Sequence, residues 1–386
     1  MSEQTPASTS DAIPAATAPS GIPLSELRVA VVSDALKGRN GVDTYYRDLV
    51  THLAPMVADV RYMTPNTEDG DLHTRFRFPL PGDSTQQVVF PHATSLYAEL
   101  KTLQPHIIVA ATNGPFGLFA LYSARKLNAH LVAGFHTLIE DLCNLYWGRV
   151  LGGVTRGYME FQNWLLFKYA DQVVVNSNSM IQSANKLSTT PVALMGTPLD
   201  QRFLKKPVTE PSGVLERVLY AGRLAPEKNL EALVECASLT PRIHFTIAGA
   251  GPLRPEIEAY AGNMNNLDFV GHLPRDEVVA AIDDHDMLVL PSHLEAFGTI
   301  ALEAMARKRL VLVSENCGIL SWESLCNGLY KYPANQPLEE AIRDIEAERP
   351  EQRAAICEEA YRQALSIHEH SIRDWLDLFA RLTRAD

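Results

Sequence analysis

Two glutamates separated by seven residues, Glu295 and Glu303, have the spacing and surroundings of ligand-binding carboxylates. The apolar run 287–290 predicts a buried strand, and the Ala-rich segment 297–307 predicts a helix. Glu295 therefore lies on a strand-to-helix turn, and Glu303 lies about two helical turns further along. The neighbours of Glu303 are apolar, and a carboxylate among them needs a partner. We therefore favour ligand binding over a solvated helix charge.

The backbone at the start of the same helix is suited to binding an anion. The first amides of a helix have no partner within the helix, so they attract negatively charged groups. Gly298 has no side chain and allows such a group to approach the backbone closely. The residues expected to contribute amides are Phe297, Gly298, Thr299 and Ile300.

Two cations, Arg223 and Lys228, follow the predicted strand 218–221. An arginine offers a fork of hydrogen-bond donors, and a lysine offers a compact positive charge. If both converge on one anion, they stabilise negative charge that develops on a leaving group such as a diphosphate. The alternative is a surface loop with two solvated cations, and the acidic pair downstream favours the binding site.

The spacing of Glu295 and Glu303 resembles the E-x7-E signature of retaining glycosyltransferases of the GT-B fold, family 4. The segment 222–229 likewise resembles that family's G-R-x-x-x-x-K-N motif. The likeness extends from residue 28 to about 382 and is strongest between 217 and 314. It implies an α/β protein with two Rossmann-like domains facing a central cleft. It also implies transfer of a sugar from a nucleotide diphosphate donor to a hydroxyl, with retention at the anomeric carbon.

The resemblance also implies roles for individual residues. Arg223 and Lys228 are expected to hold the diphosphate, and Glu303 to bind the ribose hydroxyls. Glu295 is expected to bind sugar hydroxyls or to shield the positive charge that develops at the anomeric carbon. His136 follows a buried-looking strand, at the edge where α/β sheets bind ligands, and is expected to contact the sugar.

Three glycines are expected to approach the ligand. Gly41 opens a helical pattern after the first strand, although an ordinary strand-to-helix turn explains a single glycine equally well. Gly249 lies in the segment 247–253, which is similar to the strand and G-x-G-P turn of the family. Gly271 lies in a segment that in the family runs along the nucleobase.

Strands alternate with helices in both halves of the chain, and this order predicts parallel sheets. The predicted organisation has five parts: a disordered tail at 1–26, an acceptor domain at 27–200, a linker at 201–213, a nucleotide-sugar domain at 214–366, and a helix at 367–386 that crosses back to the first domain. Near the C-terminus the pattern predicts two helices, 351–366 and 372–381.

Two segments of the first half are rich in aromatic residues. In segment 75–79 arginine and phenylalanine alternate, which favours an edge strand over a loop near an acceptor or a membrane. Segment 152–170 predicts a large apolar helix. Its cations are sparse for an interfacial anchor, so packing in the core is the favoured interpretation.

Composition excludes several functions. The net charge is −12, and residues 201–386 carry −9 of it, so nucleic acid is not an expected partner. Five scattered cysteines without CxxC spacing predict a reducing compartment, and we expect a cytoplasmic protein. No apolar run approaches the roughly 18 residues of a membrane span, which leaves peripheral contact at the inner face of a membrane open.

Two D-x-D patterns, Asp69 to Asp71 and Asp284 to Asp286, resemble the metal-binding motif of a different glycosyltransferase class. Asp286 should lie at the start of a strand, away from the ligand-binding edge. Solvated turn residues are therefore the favoured interpretation, and we expect neither a metal nor another cofactor.

The sequence leaves the donor, the acceptor and two other classes of protein open. UDP-sugars are favoured over GDP-sugars, and the acceptor is a lipid-linked molecule, a glycan or a small molecule. A nucleotide-sugar epimerase or phosphorylase on the same fold is the first alternative. A non-catalytic nucleotide-sugar-binding subunit is the second. The oligomeric state is also open.

Overall fold

The structure is a computed structural model that describes residues 21–36, 41–65, 74–80, 83–136 and 149–384. Most of the expected tail, the loop 37–40 before Gly41, and the pair Asp69 and Asp71 lie outside the described residues.

The first lobe is a parallel sheet of six strands in the order β2-β1-β5-β6-β7-β8, with a separate antiparallel hairpin formed by β3 and β4. Its central strands are buried along almost their whole length, as expected for a sheet covered by helices on both faces. Its strands are β1 (Arg28–Val32), β2 (Asp59–Met63), β3 (Thr74–Leu80), β4 (Asp83–Pro91), β5 (Ile107–Ala110), β6 (His130–Phe135), β7 (Gln172–Val175) and β8 (Val192–Leu194). Its helices are α1 (Gly41–Leu53), α2 (Ala93–Leu103), α3 (Pro115–Leu127), α4 (Arg149–Tyr169) and α5 (Asn178–Leu187).

The second lobe repeats this architecture with the strand order β11-β10-β9-β12-β13-β14, again entirely parallel. Its strands are β9 (Arg217–Ala221), β10 (His244–Ala248), β11 (Leu267–Gly271), β12 (Met287–Leu290), β13 (Leu310–Ser314) and β14 (Tyr330–Tyr332). The remaining helices are α6 (Gln201–Lys205), α7 (Leu230–Leu239), α8 (Arg254–Ala261), α9 (Arg275–Asp283), α10 (Thr299–Met305), α11 (Glu323–Cys326), α12 (Leu338–Ala347) and α13 (Pro350–Leu382). The expected fold class, two Rossmann-like α/β domains, is confirmed.

The segment between the lobes is more ordered than a linker. It begins with α6, and Phe203 on that helix is buried in the hydrophobic core of the second lobe. Arg307 is also buried and donates to the backbone carbonyls of Lys206 and Pro207, at 2.7 and 2.6 Å. These contacts fix the connection against the second lobe.

The C-terminus forms one helix instead of the two expected. Helix α13 packs Ala364 and Ile367 into the core of the second lobe and Ile372 and Trp375 into the core of the first. The indole of Trp375 donates to the hydroxyl of Tyr45 at 2.9 Å. The last helix therefore joins the two lobes.

The outer face of α4 differs from the expectation. Phe167 is buried as predicted, but Tyr158, Phe161 and Trp164 are exposed by 56%, 57% and 38%. The prediction that these three rings pack in the core is therefore wrong. The segment with alternating arginine and phenylalanine is strand β3 of the hairpin, as favoured.

Candidate active site

Two loops of the second lobe are held together by hydrogen bonds to the backbone. The amide of His293 donates to the carbonyl of Glu227 at 2.9 Å, and the side-chain amide of Asn229 donates to the carbonyl of Pro291 at 3.1 Å. The loop after β9 therefore lies directly against the loop after β12, at the carboxyl ends of adjacent strands. This is the edge at which parallel sheets bind ligands.

This contact brings Lys228 to Glu295, 67 residues further along the chain. Lys228 Nζ lies 2.7 Å from Glu295 Oε2, and each side chain is only 16% exposed. The amide of Gly318 donates to the carbonyl of Glu295 at 2.9 Å and fixes the turn. The structure thus joins one cation and one acid of the predicted set in a poorly solvated pair, where charges interact strongly.

Arg223 lies on the same loop as Lys228. Its Nη1 is 2.8 Å from Glu227 Oε1, and its backbone carbonyl accepts from the hydroxyl of Tyr220 at 2.8 Å. Burial lowers the pKa of the Arg223 guanidinium, but a guanidinium stays charged at neutral pH. Arg223 and Lys228 are therefore two partly buried cations on one loop.

The predicted anion-binding backbone lies beside this loop and faces the other lobe. Gly298 precedes α10 in the left-handed region, with φ +91°. A Cβ atom on Gly41, at the start of α1, would lie 3.9 Å from Thr299 Oγ1. The starts of α1 and α10 therefore meet between the lobes. Phe297, by contrast, has a buried side chain, so only its backbone can face a ligand.

Replacing Gly298 by alanine is expected to destabilise the protein by roughly 2 kcal/mol and to lower activity. A Cβ there would lie 3.0 Å from both Cys317 Sγ and Leu290 Cδ1, and the left-handed conformation adds strain. Gly157→Ala is the control, since its helical position is open and alanine favours a helix. Urea unfolding gives the free energy of unfolding of both variants. A Gly298→Ala protein as stable as the wild type would contradict the prediction.

The other two predicted glycines end neighbouring strands. Gly249 adopts φ +149°, and a Cβ atom there would lie 1.8 Å from the carbonyl oxygen of Gly222, so a side chain cannot fit. The turn after β10 is thereby packed against the loop that carries Arg223. Gly271 adopts φ +73° at the end of β11 with open space around it.

His136 lies at the carboxyl end of β6 and is buried. Its Nε2 shares a hydrogen bond of 2.8 Å with the hydroxyl of Tyr46, on helix α1. Burial lowers the pKa of His136 to about 4 and raises the pKa of Tyr46 well above its usual range. The pair is therefore neutral at pH 7, which suits hydrogen bonding to a sugar hydroxyl and not acid catalysis.

Because the pKa of His136 is depressed, the unfolded chain takes up this proton first as the pH falls. The contribution of the neutral ring to stability is complete above about pH 6.5 and is lost as the pH falls towards 4. The expected loss is on the order of 3 kcal/mol, and it should be absent in His136→Gln. Urea unfolding between about pH 7 and 4.5 tests this. If the free energy of unfolding depended on pH identically in the wild type and in His136→Gln, this contribution of His136 would be excluded.

Glu303 lies on α10 with its side chain 2% exposed, and its partner is Arg275 on α9. Arg275 Nη1 lies 2.5 Å from Glu303 Oε1, and Nη2 lies 3.1 Å from Asp48 Oδ2. Asp48 belongs to α1 in the first lobe, so Arg275 joins the two lobes. Burial raises the pKa of Asp48 and of Glu303, against the opposing effect of Arg275.

Sequence reasoning did not find Arg275, Asp48 or Tyr46. It also missed Asp34, which follows β1 and whose pKa is raised to about 6 by burial. A signal existed for Asp34, since polar residues after a buried strand often face a ligand. The others lie within helices, where no spacing distinguishes them from ordinary surface residues.

The D-x-D pattern at 284–286 lies at the opposite edge of the second sheet. Asp286 Oδ2 accepts from the amides of Glu216 and Arg217, at 3.0 and 2.9 Å. These contacts tie β12 to β9 at their amino ends. Among the described residues, no group of three or more histidine, cysteine or acidic side chains is placed to hold a metal ion.

Two Rossmann-like lobes that meet around cationic and glycine-rich loops have the architecture of the GT-B fold. Comparison with protein families agrees: the family described as "Glycosyltransferase Family 4" matches residues 39–195, and "Glycosyl transferases group 1" matches residues 202–363. The chain belongs to the family 4 glycosyltransferases.

Among known proteins, the chain is 25% identical over 260 residues to the sulfoquinovosyl transferase SQD2 of Arabidopsis thaliana. The match covers 63% of this chain and 49% of the relative, so the chain spans about half the length of that protein. Among solved structures, sucrose-phosphate synthase from Thermosynechococcus elongatus superposes with a TM-score of 0.69 at 18% identity, covering 92% of this chain and 99% of that one.

Anabaena HepE in complex with UDP and glucose superposes with a TM-score of 0.65 at 15% identity, covering 91% of this chain and all of the other. At such identities the likeness to solved structures concerns the fold alone. Within the described part of the chain, no helix is long and apolar enough to span a membrane.

Proposed function

We propose that this protein transfers a sugar from a nucleoside diphosphate sugar to a hydroxyl acceptor, with retention of the anomeric configuration. The observation that supports the proposal most is the ion pair of Lys228 and Glu295 beside the start of α10. Arg223 lies on the same loop as Lys228, and Gly41 of the other lobe lies beside the start of α10. The structural likeness to HepE in complex with UDP and glucose, over 91% of this chain, supports testing a UDP-sugar as the first donor.

In this proposal, Arg223, Lys228 and the amides of residues 297–300 stabilise the diphosphate as its charge increases. The bond between the anomeric carbon and the diphosphate oxygen breaks, and the acceptor oxygen bonds to that carbon from the same face. The leaving phosphate oxygen takes the acceptor proton. No metal is needed in this scheme, because the two cations compensate the negative charge.

The remaining residues bind the sugar and the nucleoside. A carboxylate has about four acceptor positions, so Glu303 can accept from ribose hydroxyls while it remains paired with Arg275. Glu295 binds sugar hydroxyls or shields positive charge at the anomeric carbon once the diphosphate competes for Lys228. Neutral His136 contacts the sugar from the first lobe.

The test is a screen of UDP- and GDP-sugars by thermal shift, followed by incubation of a stabilising donor with pooled acceptors. Mass spectrometry detects a glycosylated product, and NMR of that product gives its anomeric configuration. A retained configuration supports the proposal, and an inverted one contradicts the mechanism.

The same incubation separates the two alternative classes. An isomerised donor or free sugar without acceptor, or a sugar phosphate formed with inorganic phosphate, indicates an epimerase or phosphorylase. Donor binding without turnover across the acceptor pools indicates a binding subunit. Loss of turnover in Arg223→Met ties the activity to this site, and Arg242→Met is its matched control, since Arg242 forms an exposed ion pair with Glu346 just before β10, at the opposite edge of the sheet.

A further inference from the structure

One face of the first lobe carries exposed aromatic rings from three neighbouring elements, β3, α3 and α4. We call it the aromatic face. Six of its rings are exposed by between 38% and 57%, a degree rarely found for so many neighbouring rings on a surface that contacts only water. They are Phe76, Phe78, Tyr122, Tyr158, Phe161 and Trp164.

The rings form one continuous surface. A cavity of about 480 Å³ lies between the hairpin and the two helices, and Phe76, Phe119, Tyr122 and Tyr158 contribute to its lining. Further along α4, the rings of Phe161 and Trp164 stack with their centroids 5.8 Å apart. The aromatic face therefore extends from the hairpin to the C-terminal part of α4.

Helix α4 is apolar on two opposite sides. Leu166 and Phe167 are buried against the lobe, whereas Tyr158, Phe161 and Trp164 recur at helical spacing on the outer side. Packing within the lobe accounts for the inner side only. A helix with a second apolar side normally has a second apolar neighbour.

The charge of the aromatic face identifies the kind of partner. The described side chains of β3, α3 and α4 include one acid, Glu160, although the whole chain has a net charge of −12. Against this single acid, the described side chains of the same elements include six cations. They are Arg75, Arg77, Arg125, Lys126, Arg156 and Lys168.

The cations accompany the rings. Lys168 Nζ lies 4.8 Å from the centroid of the Trp164 ring, and Arg125 lies over the ring of Tyr169 at 5.1 Å. Long basic side chains beside tryptophan and tyrosine are typical of the boundary between lipid and water, where rings enter the acyl region and cations reach the headgroups.

We infer that the aromatic face docks the protein on the surface of an anionic lipid bilayer. The rings of the hairpin and α4 enter the interfacial layer, and the exposed cations beside the rings, Arg125 and Lys168, contact anionic headgroups. The active site is close to this face, because the side-chain amide of Asn113, beside the His136 strand end, donates to Asn163 of α4 at 2.5 Å. Docking therefore places the carboxyl end of β6, where His136 lies, near the membrane surface.

The test uses the full chain and sedimentation with vesicles of phosphatidylcholine, with and without phosphatidylglycerol, at low and physiological ionic strength. The wild type should bind the anionic vesicles, more weakly at higher salt. The double variant Phe161→Ser/Trp164→Ser should bind them at least about tenfold more weakly. Tyr260→Ser/Val270→Ser, two exposed residues of the second lobe, is the matched control and should bind like the wild type.

The cations are tested separately with Arg125→Gln/Lys168→Gln, which removes two exposed cations that lie over aromatic rings and should lower the preference for phosphatidylglycerol. Thermal unfolding checks that the variants fold, which is expected because the replaced side chains are exposed. A wild type that fails to bind anionic vesicles, or a serine variant that binds as well as the wild type, overturns the inference.

A second copy of the chain is the competing occupant of this face. Dimerisation that is lost in Phe161→Ser/Trp164→Ser, without vesicle binding by the wild type, would assign the aromatic face to self-association and overturn the inference. Vesicle binding needs no donor or acceptor, so its result is independent of the proposed transferase activity.

Discussion

Replacing Lys228 by alanine is expected to lower kcat by about 100-fold or more, with a smaller effect on the affinity for UDP. The reason is that negative charge on the diphosphate grows as the bond to the sugar breaks. A cation beside it therefore stabilises the transition state more than the bound donor. Steady-state kinetics with the donor found in the screen, together with calorimetric titration of UDP, separates the two effects.

Lys308→Ala is the matched control for this experiment. Lys308 is also ion-paired, with Glu210 at 2.9 Å and Glu358 at 2.7 Å, but it lies just before β13, at the edge of the sheet away from the site. Its loss should leave kcat unchanged.

The Lys228 variant also leaves Glu295 without its cation, and an unpaired charge can reduce activity by disturbing the local structure. Thermal unfolding and the affinity for UDP detect such a disturbance, and both should stay close to the wild-type values in Lys228→Ala. Near-normal turnover in Lys228→Ala, or a loss of turnover matched by an equal loss of stability and of UDP affinity, would remove Lys228 from the mechanism.

Much of the second lobe could be predicted from the sequence, because its candidate ligand-binding residues follow buried strands within short loops. Lys228 and Glu295 belong to loops after β9 and β12, and these strands are neighbours in a parallel sheet. Local pattern and the rule that ligands bind at the carboxyl ends of strands were sufficient there.

Pairing between distant side chains could not be predicted in this way. Tyr46 and His136 are 90 residues apart, and Arg275 is 227 residues from Asp48. Tyr46 and Asp48 lie at ordinary positions of helix α1, and only the packing of α1 against both lobes brings them to their partners.

Helix α13 shows why a local pattern misplaced an element boundary. The polar residues from His368 to Ser371 favour a break between two helices. In the structure two of these residues bond to the segment after β8: Ser371 donates to the carbonyl of Gly196 at 2.8 Å, and His368 accepts from the amide of Leu199 at 3.1 Å. These tertiary hydrogen bonds allow one helix to continue through a polar stretch at which the sequence alone predicted a break.

Replacing Arg275 by methionine is expected to destabilise the protein by about 3–5 kcal/mol. The side chains of Glu303 and Asp48 are 2% and 6% exposed, so removal of the guanidinium leaves two buried acidic groups without the cation that both contact. Arg254→Met removes an exposed ion pair and should cost less than about 1 kcal/mol. Urea unfolding at neutral pH measures both variants, and Arg275→Met/Glu303→Gln should recover part of the loss.

The pH dependence of stability in the Arg275→Met variant shows whether the loss comes from charge or from packing. Burial already raises the pKa of Asp48 to about 8, and loss of Arg275 raises it and the pKa of Glu303 further. For an acid with a raised pKa, the folded state binds more protons than the unfolded state between the two pKa values, so stability declines as the pH rises from the unfolded-state value to the folded-state value. For Asp48 this decline ends at about pH 8 in the wild type and continues to higher pH in the variant. The deficit relative to the wild type should therefore be larger at about pH 9.5 than at about pH 6. An equal deficit at both values would show that Arg275 acts through packing and not through its charge.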